Sequence, residues 1–199
     1  AFPRSYRMML AFSAFILLSS IALGYQIWAE DPVLAKATVE KIIDTKFVTI
    51  IDRMANTGWW GQVFIIFVNN LKASIIIILS GLLLPIIPLL MGIMGNGFMI
   101  GLMAGFFEAE KLMRKSAFFL SLLPHGCFEL PAILISATVG IIWGGRNWRS
   151  IFKGENFGTL SAHAKANLAY LPLIILLLFI AALVEVLVTP YLFTLPGFA

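Results

Sequence analysis

Long apolar stretches separated by short polar ones make up most of the chain, and their lengths predict helices that cross a bilayer. Residues 8–28 come first, preceded by Arg4 and Arg7 and closed by Trp28 and the sequence EDP. About 20 apolar residues can span a hydrocarbon core of about 30 Å, so this run reads as a span rather than a signal h-region. Residues 33–54 follow a different rhythm. Leu34, Ala37, Val39, Ile42, Ile43, Phe47, Ile50, Ile51 and Met54 recur mostly at three- and four-residue steps, while Lys36, Glu40 and Asp44 sit four apart on another face. That pattern predicts an amphipathic helix, lying on the membrane or docked against a partner, with no apolar domain of its own to cover.

Trp59 and Trp60 return the chain to an interface, and residues 62–107 are then almost continuously apolar, too long for one crossing. Asn69, Asn70 and Lys72 form a polar step, and Pro85 and Pro88 a break, which divide this run into spans at 64–84 and 89–107. Lys72 argues for a start as late as Ala73, since a lysine near a span end can snorkel while one at the centre costs several kcal/mol. The connector EAEKLMRKS leads to a span at 117–143, with Trp143 and Trp148 at its exit. A polar loop at 146–165, holding a solvated His163, leads to the last span, 167–191. The expected fold is all-α: a single polytopic membrane helix bundle over 1–199, with about five transmembrane helices and one amphipathic interfacial helix.

Composition supports this. The chain is 60% hydrophobic and 12% charged, with a mean hydropathy of +0.96, where soluble domains average about 45–50% and about 25%. The spans leave no length for a separate soluble domain. A net charge of +4 comes without any basic cluster, which excludes a nucleic-acid partner and fits loop Lys and Arg near lipid headgroups. Orientation is undecided: Arg4, Arg7, Arg146, Arg149, Lys153 and Lys165 fall on one side, and Lys36, Lys41, Lys46, Arg53, Lys72, Lys111, Arg114 and Lys115 on the other. Cys127, the single cysteine, allows no intrachain disulfide.

The chemistry concentrates in residues 123–131, LPHGCFELP. His125 and Glu129 are four apart, which places them on one helical face. Pro124 and Pro131 flank them, and the segment reads as a kink or re-entry whose freed backbone groups must be covered by protein or water. The pair should therefore face the bundle interior. Three readings stay open: a hydrogen-bonded interior lock formed with each other or with Asn69, Asn70 and Asn96; a proton or ion path; and a metal site completed by Glu185. Glu185 either snorkels or partners His125 or Asn96. Gly97, Gly101 and Gly105, at four-residue spacing, form a smooth stripe for helix packing.

In this order — Asn69 and Asn70, Gly81, Asn96 and Gly97 with Gly101, LPHG at 123–126, ELPA at 129–132, Glu185, then Thr189 and Pro190 — the chain resembles the stage II sporulation protein M family from about Asn69 to Pro190. The first 60 residues carry no matching motif. The resemblance implies an integral membrane protein; the family's named member is a scaffold that works with cell-wall-degrading partners, and no member is an established enzyme. There is no phosphate loop, nucleophile elbow or cysteine–histidine pair. The expectation is a multi-pass cell-membrane protein without cofactor or resident metal. It would act as a non-enzymatic scaffold or accessory subunit, with the lipid bilayer and other membrane or membrane-associated proteins as partners; homo-oligomerisation is left open. The alternatives are a transporter or permease subunit with a His125/Glu129/Glu185 path and, more remotely, an intramembrane metal-dependent hydrolase.

Overall fold

The computed structural model describes residues 2–155 and 157–192. Among them there is no strand, and five helices are long and apolar enough to cross a membrane. α1 runs over Arg4–Glu30 and α2 over Pro32–Ile42. The Asp31 side chain caps α2 by accepting from the Leu34 amide at 2.9 Å, and Pro32 occupies the first turn, where its missing N–H is harmless. A π-helical turn, Ile43–Phe47, leads into α3, Val48–Ala55. α4 (Trp59–Leu83) is followed by a second π-helical turn, Pro88–Met94, that continues as α5 (Gly95–Ala109). α6 occupies Lys115–Phe152, α7 Phe157–Leu168, α8 Leu171–Leu187 and α9 Thr189–Leu192.

Two glycine seams let helices approach backbone to backbone. On the first, α1 and α5 run in the same direction: Gly97 faces Leu17 and Ser20, Gly101 faces Ile21 and Tyr25, and Gly105 faces the Trp28 ring. Gly24 meets Phe98 and Leu102 from the other side. The second seam joins α4 to α6, also in parallel, with Gly81 against Gly140 and Gly144, and Gly140 against the carbonyls of Ile77 and Ile78. α8 carries no glycine and packs through side chains, with Ile174, Leu178, Ala181 and Ala182 fully buried.

Tryptophans mark the membrane boundaries. Trp59 and Trp60 stack at the start of α4, and Trp148 donates to the Leu83 carbonyl (3.1 Å) at its end. At the Leu83 end, Tyr6 donates to Asn167 and stacks beside Tyr170 and Phe2, with Arg146 5.7 Å over its ring. The other end is crossed by the arm formed by α2 and α3.

Four expectations are corrected here. The arm does cover an apolar surface of its own chain: Ala35 and Val39 are buried against Leu102, Trp28, Met103 and Phe106. Glu110 bonds Lys36 at 2.7 Å, and Met54 reaches the Val63, Ile66 and Ala182 cluster. Residues 123–131 are neither broken nor re-entrant, because α6 continues as helix through Pro124 and Pro131; packed helices can tolerate prolines whose freed carbonyls a soluble helix could not bury. Lys72 is not near a span end, since α4 begins at Trp59. His163 is not in a loop; α7 carries it, and its Nδ1 lies 3.1 Å from Asn147 Oδ1.

Candidate functional site

α6 and α8 pack along one another in opposite directions, which brings the start of the ELPA segment beside the last turn of α8. There His125, Glu129 and Glu185, all half-buried, place one ligand-type atom each within 4.8 Å of one another. His125 and Glu129 share a face of α6 through their four-residue spacing. Thr189, four residues after Glu185, completes the arrangement: its hydroxyl oxygen lies 3.2 Å from His125 Nδ1 and its proton points to the Val184 carbonyl at 3.5 Å. In the tautomer that carries its proton on Nδ1, the ring donates to Thr189, and the imidazole lone pair is then on Nε2.

The three groups do not satisfy one another directly. Among the described residues His125 forms no ion pair with either carboxylate, and neither Glu129 nor Glu185 makes a hydrogen bond. The direct lock expected between His125 and Glu129 is therefore absent, and the hydroxyl of Thr189 holds the imidazole instead. Thr189 was visible in the sequence only as half of a TP pair; its four-residue offset from Glu185 was the signal that could have marked it.

The asparagines bond elsewhere. Asn69 donates to its neighbour Asn70 at 3.3 Å, on a face where Asn69 and Lys72 are exposed. Asn96 donates to the Gly92 carbonyl of its own helix at 2.6 Å, so the bond expected between Glu185 and Asn96 is not made. Cys127 is exposed, on the far side of α6 from the His125–Glu129 face, so its reactivity does not probe the cluster. Two surface grooves, one between Met9, Phe12 and the 84–89 segment and one between Ser20 and Phe98, are apolar and include none of the three ionisable groups.

Near the arm, Tyr25 donates to Glu108, and Lys115 sits 5.2 Å over the Tyr25 ring. Lys36 lies outside the spans, and its pKa is raised, first by its hydrogen bond to Glu110 and then by the attraction of that charge.

A family model described as Stage II sporulation protein M matches residues 13–190. The chain belongs to that family, and the match reaches back through α1 and the arm, beyond the segment where motifs were legible. No curated protein and no solved structure matches.

Proposed function

We propose that this integral membrane protein is a non-enzymatic subunit that holds a second membrane protein against α4 within the bilayer. One observation carries the reading: Asn69 and Lys72 are exposed on one face of α4, near the middle of its length. Lys72 lies 13 residues after Trp59 and 11 before Leu83, which at about 1.5 Å per residue is roughly 20 Å and 16 Å along the helix. A lysine stem of roughly 6 Å does not reach either boundary from there, and a lysine at the centre of a span costs about 2.5–3.5 kcal/mol. Among the described residues Lys72 has no ion pair.

The chemistry that offsets this cost is a carboxylate on another helix at the same depth. A second copy of this chain does not supply one, because the carboxylates within its spans, Glu129 and Glu185, are gathered in the α6–α8 seam. A twofold contact through α4 would also set Lys72 against Lys72. The occupant is therefore a different transmembrane protein with an acidic residue near the bilayer centre, and Asn69 adds an interhelical hydrogen bond worth about 0.6 kcal/mol.

Co-purification in mild detergent tests this. The wild-type chain should retain a partner with such a residue, and Lys72→Leu should lose it while inserting normally. Lys72→Asp should recover it when the partner's carboxylate is changed to lysine. Equal recovery by wild type and Lys72→Leu overturns the proposal.

A further inference from the structure

We infer that His125, Glu129 and Glu185 bind one divalent transition-metal ion, zinc in the first instance, which clasps α6 to α8. The donor set is one imidazole and two carboxylates, the N/O chemistry that zinc takes. Zinc holds such atoms at about 2.0–2.2 Å, so neighbouring ligands in a tetrahedral shell lie about 3.4 Å apart. The three atoms already lie within 4.8 Å of one another, and side-chain rotation alone closes the remaining distance of at most about 1.4 Å.

Two further features support the assignment. The Thr189 hydroxyl lies 3.2 Å from His125 Nδ1, which orients the ring and, with the ring proton on Nδ1, leaves the Nε2 lone pair for a ligand, as the outer partner of a metal-bound histidine does. The two carboxylates, without a hydrogen-bond donor among the described residues and inside a membrane, require a positive charge or protons to balance them. An ion placed among the three meets a ring nitrogen and both carboxylates at once, whereas a proton shared by the carboxylates leaves the imidazole out. Three protein ligands leave a fourth position for water.

The full chain, purified without a histidine tag, is exposed to Zn²⁺, freed of excess ion and assayed by elemental analysis. About one zinc per chain is expected. His125→Ala, Glu129→Gln and Glu185→Gln should each abolish binding, while His163→Ala should leave it intact. Thr189→Val keeps all three ligands and should weaken affinity by about 10–100-fold. Replacement by Co²⁺ should give the intense visible bands of a four-coordinate site in the wild type, a readout that does not depend on any variant folding. No bound zinc in the wild type, unchanged stoichiometry in His125→Ala, or a Co²⁺ spectrum of six-coordinate weak intensity overturns the inference.

Discussion

Gly101→Ala tests the α1–α5 seam most directly. A Cβ there would lie 2.7 Å from the Tyr25 nitrogen and 3.0 Å from the Ile21 carbonyl carbon, and closer still to the Ile21 oxygen. All three are backbone atoms of α1, so no side chain can rotate away. Restoring ordinary separations of about 3.5 Å, the Ile21 oxygen included, requires the two helices to part by roughly 1.5 Å, which also loosens the contacts at Gly24 and Gly97. Overpacking of this kind costs about 1–3 kcal/mol, and the better helix propensity of alanine returns up to about 1 kcal/mol. The expected net loss is about 1–2 kcal/mol. Gly145→Ala is the matched control, since a Cβ there meets nothing within 4 Å; it should be neutral or stabilising. Reversible unfolding in mixed micelles, followed by tryptophan fluorescence, compares the two. If Gly101→Ala proves as stable as Gly145→Ala, the helices are not in backbone contact and the argument fails.

Three further outcomes are expected. Val39 is fully buried on the inner face of the arm, so Val39→Ser forfeits much of about 1.5–3 kcal/mol of burial and should speed tryptic cleavage at Lys41 and Arg53; cleavage at the wild-type rate would place the arm's hold elsewhere. The Lys36–Glu110 pair raises the Lys36 pKa, so its contribution is present below the unfolded lysine value of about 10.4 and is lost as pH rises through the higher folded value. Arm protection should fall across that alkaline window in the wild type and stay flat in Glu110→Gln. Cys127 is exposed on the outside of a membrane-spanning helix, so a charged thiol reagent should label it poorly in bilayers and a membrane-permeant maleimide well; efficient labelling by the charged reagent would mean that water reaches that face.

The spans were legible because twenty apolar residues in a row have few other solutions, and the 97–101–105 stripe because its spacing repeats along one helix. The second seam was not, since Gly81, Gly140 and Gly144 come from two helices far apart in sequence and their pairing exists only after folding. Lys72 misled through its cost: the argument that a central lysine is expensive is sound, yet it moved the expected start of the span, whereas the chain tolerates the lysine in place. His125 and Glu129 were readable as a face through their four-residue step. Glu185 joined them only as a candidate, because nothing along the chain reveals which turn of α8 lies opposite which turn of α6. The arm's attachment to its own bundle was hidden for a related reason, as an amphipathic pattern specifies an apolar face and not its occupant.

The two glycine seams lie in opposite leaflets, one near the arm and one near Trp148, and neither includes α8. Four helices are thus riveted in two pairs, main chain to main chain, while the fifth is held by interlocking side chains alone. Any shift of α8 along α6 changes the separation of Glu129 and Glu185, so that distance is the gauge of how the two helices are set.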